Sequence, residues 1–176
     1  MKGEIVLGNW SRLRRLRAVG EQTTKEPRER YIKSAELVAF ETEYNAHKYD
    51  NKQMIPPECR VRTSFSDKTA NQLTAAIIAH LEYKGHFAAR VNTTGVYDSK
   101  RGVYRRTNAR KGMADVSAII NGKSVQLEVK AGKDRPRTDQ LQVQCEVRAA
   151  GGIYEFIHTF AEYIALYNGL VKDKSP

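Results

Sequence analysis

From Met113 to Ala131, apolar and polar residues alternate in two runs joined by Asn121-Gly122. Asn-Gly is the strongest short hairpin signal, because a type I′ turn needs positive φ at both central positions. A two-residue loop also fixes the register. Ile120 should face Lys123, Val116 should face Leu127, and Asp115 should face Glu128. Side chains two apart share a face. One face then reads Val116, Ala118, Ile120, Val125, Leu127 and Val129, which suits a core. The other carries Asp115, Ser117, Ser124, Gln126, Glu128 and Lys130, with Ile119 near the turn.

The flanking pattern predicts an α/β order. Thr69 and Gln72 have capping-box spacing, and Leu73, Ile77 and Leu81 recur every four residues, predicting a helix that ends near Gly85. His86 to Asn92 reads as a strand, with Phe87, Ala89 and Val91 on its apolar side. Residues 93–111 form a long connection, and VYDSKRGVY within it suggests a small hairpin turning near Gly102. After Lys130, a helix is predicted from about Thr138 to Ala150, stopped by Gly151-Gly152. Ile153 to Ile157 reads as a buried strand, and Thr159 to Glu162 as the box opening a last helix to about Asn168. A strand–helix–strand unit of this kind implies a parallel, right-handed crossover.

Residues 1–65 read differently. Pro27 can open a helix to about Lys48, with Tyr31, Ala35, Val38 and Thr42 on one stripe and Phe40 and Tyr44 beside it. That stripe would pack either on the core or on a second copy. Pro56-Pro57 breaks the chain, so the expected division is an N-terminal extension, 1–65, and a main domain, 66–176.

Charge changes the picture. The 176 residues hold 30 Lys+Arg against 20 Asp+Glu, a net charge of +10. That balance favours a polyanionic partner, nucleic acid first. Residues 10–17, WSRLRRLR, could serve as a basic arm or as a solvated helix. In the 93–111 connection, Lys100, Arg101, Arg105, Arg106, Arg110 and Lys111 oppose only Asp98, which predicts a phosphate-contacting loop. Cys59 and Cys145 lack CxxC spacing, and His47, His80, His86 and His158 are scattered. A zinc site, a disulfide scaffold and a His-based metal site are therefore not expected. No run suits a signal peptide or a membrane span, so the expected compartment is cytoplasmic.

Facing carboxylates lie about 5 Å apart across a strand pair, and like charges there repel. Asp115 opposite Glu128 thus invites a divalent cation, with Lys130 on the same side. Asp…Glu-X-Lys across a hairpin resembles the PD-(D/E)XK nuclease superfamily. Gly112-Met113-Ala114-Asp115, Glu128-Val129-Lys130, Gln140 and Gly151-Gly152 narrow this to a resemblance to the VRR-NUC branch, phage-type members above all, over roughly Asp67 to Leu166. The resemblance implies a restriction-endonuclease-like core, a central mixed β-sheet flanked by helices. It implies a Mg²⁺-dependent DNA endonuclease, with Mn²⁺ as a substitute ion, nicking DNA or acting on Holliday-junction-type substrates for a phage or mobile element in a bacterial host. Asp115, Glu128 and the Val129 carbonyl would hold the ion. Lys130 would orient or deprotonate the attacking water, and Gln140 would hydrogen-bond Lys130 or that water. Arg90, Asn92 and Gly95 would approach phosphate.

Cutting both strands calls for two sites, so a homodimer through Tyr31, Val38 and Phe40 is expected. One departure stands out. Many relatives carry a glutamate near the start of the first helix, where this chain has Ala70 or Asn71. The competing readings are a surface Glu–Lys network and a non-catalytic basic DNA- or RNA-binding module.

Overall fold

The Asn-Gly turn sets the sheet. In the computed structural model, φ is 50° at Asn121 and 77° at Gly122, as a type I′ turn requires. The turn joins β4 (Val116–Ile120) to β5 (Lys123–Val129), antiparallel, with Val116 opposite Leu127 and Ile120 opposite Lys123. The register is the expected one. The structure describes residues 31–50, 55–91, 96–105, 110–130, 132 and 134–172. The 10–17 arm, the Pro27 helix start, Asn92, Gly95, Arg106 and the Arg105 side chain lie outside these residues.

β1 (Phe87–Arg90) pairs antiparallel with β4, and β6 (Ile153–Ile157) pairs parallel with β5, giving the order β1-β4-β5-β6. β5 is therefore interior, with a partner on each side. β2 (Val96–Asp98) and β3 (Val103–Arg105) form the small hairpin, a separate two-stranded sheet. The helices are α1 (Ala35–His47), α2 (Ala70–Tyr83), α3 (Thr138–Ala149) and α4 (Phe160–Lys172). The architecture is mixed α/β, a mixed central sheet flanked by helices.

The aliphatic face of the hairpin packs with α1, α2 and α4 in the main apolar cluster, through Leu37, Leu73, Ile77, Leu81, Phe160 and Tyr163. α3 covers the other face through a smaller cluster of Ala114, Val143 and Tyr154. Leu37 and Phe40 place α1 in the same apolar cluster as the sheet. The stripe expected on α1 also moves. Leu37 and Phe40 are the buried positions, while Val38 stays exposed. Phe40 stacks on Phe65 and Phe160 and is therefore not free for a second copy. The segment after Pro57 explains the shift: it runs along α1. Asn45 donates to the Thr63 carbonyl and accepts from its N–H (2.8 and 2.7 Å), as a neighbouring strand would. α1 starts at Ser34, whose hydroxyl accepts from the Leu37 N–H, and residues 31–34 are not helical.

β1 is inverted relative to its alternation. Phe87 is 62% exposed and opposes exposed Ile119, while Ala88 packs against the core.

His80 is buried, and its Nδ1 lies 2.7 Å from the Tyr163 hydroxyl. Burial first, then Lys84, lowers its pKa from 6.5 to about 4. A neutral folded imidazole stabilises the fold above pH 6.5, and that contribution is lost as pH falls toward 4. The loss amounts to about 3 kcal/mol. Urea unfolding should show the parent's advantage over His80→Gln at neutral pH shrinking by most of this at about pH 4.5. An advantage that does not change with pH would reject the assignment.

Candidate metal and hydrolytic site

Glu128 and Lys130 alternate onto the α3 face of the interior strand. Polar side chains at that period read as solvated, yet both are buried: Glu128, against Gln140 of α3, is 4% exposed, and Lys130, against Glu128 and Asp134, 1%. Asp115 precedes β4 and is half-buried. Its carboxylate accepts from the Val129 N–H at 3.1 Å, and its carbonyl accepts from the Val91 N–H at 2.8 Å. In an extended strand a residue's N–H and C=O point the same way. The Val129 carbonyl therefore opens toward Asp115.

Gln140 is the third residue of α3 and is buried. Its Oε1 accepts from the Arg137 N–H (2.9 Å), one half of a capping box, and its Nε2 donates to Glu128 Oε1 in a short hydrogen bond. The side chain Gln140 holds is thus Glu128, not Lys130. The Lys130 ammonium lies 3.1 Å from the same Oε1 and 3.2 Å from Asp134 Oδ2. Gln144, one turn further along α3, donates to the Tyr154 carbonyl and belongs to the packing of α3.

Two neighbours were not singled out in sequence. Asp134 sits four residues past Lys130, and that spacing was a usable signal. Tyr154 gave no local signal; its hydroxyl donates to the Gly112 carbonyl at 3.0 Å. Burial, then Glu128 and Asp115, pushes its phenol pKa up. Gly112 has φ 81°, and a Cβ there would lie 2.3 Å from the Asp139 carbonyl oxygen. Only glycine lets the segment before β4 meet the first turn of α3, which sets Gln140 over Glu128.

Burial raises the Glu128 pKa, and the Asp115 charge raises it further, against the opposing pull of Lys130. Its Oε2 is buried and has no hydrogen-bond partner among the described residues. A buried carboxylate oxygen without a donor is costly. A cation there would remove the cost and the Asp115 repulsion together, so the donor set fits a divalent ion. Among the described residues no group of three or more His, Cys, Asp or Glu side chains is placed to hold a metal. The site would therefore rest on two carboxylates, a backbone carbonyl and water, which is how Mg²⁺ is commonly held.

The remaining candidates divide. Arg90 opposes Val116, so it leaves the sheet on the α2 side, and it donates to Asn71 Oδ1. Neither residue joins the carboxylates: Arg90 is on the opposite face, and the Asn71 oxygen is already taken. Arg110 pairs with Glu146 on α3 at 2.6 Å. Lys100, Arg101 and Lys111 are exposed. No described helix is long and apolar enough to cross a membrane. Compared with known families and with curated proteins, the chain matches no family model and no curated sequence.

Proposed function

We propose that this protein is a Mg²⁺-dependent DNA endonuclease of PD-(D/E)XK type, with Mn²⁺ able to replace Mg²⁺, related to the VRR-NUC branch. The observation that carries the reading is the buried Oε2 of Glu128, without a hydrogen-bond partner among the described residues, beside Asp115 and Lys130. Asp115, Glu128 and the Val129 carbonyl would hold the ion. When bound, it supplies a Lewis acid for the phosphate and lowers the pKa of a bound water. The chain's own residues supply the rest. Gln140 fixes the Glu128 carboxylate, and the α3 cover keeps the site dry enough for charge to act strongly. Lys130 carries positive charge at 3.1 Å from Glu128, suited to orienting the attacking water or offsetting phosphate charge. Double-strand cutting would take two copies, through a surface other than Phe40.

A panel of duplex, flap, splayed and four-way DNAs, in EDTA and then in Mg²⁺ or Mn²⁺, tests the reading. Ion-dependent cleavage of any member is expected. Binding without cleavage in either ion would favour the basic binding module instead.

The exposed cations should act without regard to sequence. Replacing Lys100, Arg101 and Lys111 by glutamine should flatten the slope of log K against log salt by roughly 2 to 3 on duplex DNA, at ~0.9 per phosphate contact. Arg110, already paired, should contribute less. An unchanged slope would remove these residues from the DNA surface.

A further inference from the structure

The β2–β3 ribbon carries an aromatic pair that folding does not use. Tyr97 and Tyr104 sit directly opposite each other, with ring centroids 5.0 Å apart and planes tilted by 53°. They are 54% and 75% exposed, and adjacent Val103 is 52% exposed. None of the three belongs to either apolar cluster. The turn between them is firmly built. Asp98 Oδ1 accepts from the Lys100 and Arg101 N–H groups, the Asp98 carbonyl accepts from Gly102, and Gly102 has φ 64°. That turn presents Lys100 and Arg101 to solvent.

We infer that this ribbon is a stacking platform for unpaired DNA bases, which makes DNA with a single-stranded stretch the substrate class; the inference rests on the nuclease reading above. Aromatic faces stack on any base, and nearby cations meet the phosphates. Paired bases inside a duplex are already stacked and present no free face, so the tyrosines discriminate in favour of unpaired nucleotides. The +10 charge of the chain favours a polyanion over an apolar protein partner. The ribbon is also tethered at the site. The chain leaves the sheet at Val91, whose N–H bonds the Asp115 carbonyl, and returns at Asp115 itself. Tyr97 follows Val91 by six residues, a reach of at most about 22 Å. A base stacked on the ribbon is thereby held within reach of the strand that Asp115 and Glu128 would cut.

Fluorescence anisotropy in EDTA tests this without any cleavage. The probes are a labelled oligothymidylate and a labelled blunt duplex. Joint Tyr97→Ala and Tyr104→Ala substitution should weaken oligothymidylate binding by roughly 10- to 100-fold, and duplex binding by less than about twofold. Tyr97→Phe with Tyr104→Phe should restore the parent affinity, because the ring faces are kept. Duplex affinity reports on folding in the same samples. An alanine pair that binds oligothymidylate like the parent, or loses both probes equally, would overturn the proposal, as would failure of the phenylalanine pair. The nuclease reading stands or falls separately, on cleavage in Mg²⁺.

Discussion

Glu128→Gln should abolish cleavage and yet leave a metal-free protein at least as stable as the parent at neutral pH. The physical reason is the raised pKa of Glu128, caused first by burial and then by Asp115. Its folded pKa lies above the unfolded 4.5, so the folded state binds more protons between the two values. Stability from this group therefore falls as pH rises through that window, and at pH 7 the charged side chain is a net cost. Glutamine keeps the volume and keeps an oxygen to accept from Gln140, but it carries no charge. Loss of a metal ligand should lower the rate by more than about a hundredfold, since even residues that only orient a ligand cost 10- to 100-fold. Urea unfolding in EDTA and initial rates in Mg²⁺ check the two halves. A variant clearly less stable than the parent would show that the charge of Glu128 is held for the fold.

Lys130→Ala should behave in the opposite way on stability. It removes a buried ammonium from between Glu128 and Asp134, leaving Glu128 buried beside Asp115 with only the weaker pull of Arg137 to offset its charge. Breaking a buried pair from one side costs about 3–5 kcal/mol. The metal-free protein should therefore melt earlier, and Mg²⁺ should restore more stability than it gives the parent, because the local field is now more negative. Turnover should fall while ion binding survives or tightens. Lys130→Met, which keeps much of the volume, separates charge from packing. Cleavage at the parent rate by either variant would remove Lys130 from the chemistry.

The hairpin was legible because its signals are local. Asn121-Gly122 fixes the turn, period two fixes the faces, and the two together fix the register. The same holds for the Thr69 cap, Gly85, and the crossover from β5 to β6. What sequence could not give was the depth of the site. Glu128 and Lys130 alternate as solvated residues would, but Gln140 of α3, placed by the close approach at Gly112, lies over Glu128, and Asp134 closes on Lys130. The partner of Gln140 was missed for the same reason: helix spacing says which way a side chain points, not which strand residue waits there. The stripe on α1 failed because Leu37 and Phe40 pack beneath a segment that returns from beyond Pro57. No periodicity within the helix encodes that return. On β1, pairing with β4 set Phe87 opposite exposed Ile119 and Ala88 opposite buried Ala118, and nothing within the strand's own alternation encodes that register.

The central claim is that Asp115 and Glu128 together hold a divalent ion. A Mg²⁺ titration of the melting temperature, run on the parent and on Asp115→Asn, tests it without requiring the right DNA. Only an ion bound to the folded state stabilises it, by about 1.4 kcal/mol at ten times Kd. The account predicts a saturable rise of several degrees for the parent and almost none for Asp115→Asn. Equal rises in both proteins, or no rise in the parent with either Mg²⁺ or Mn²⁺, would contradict it.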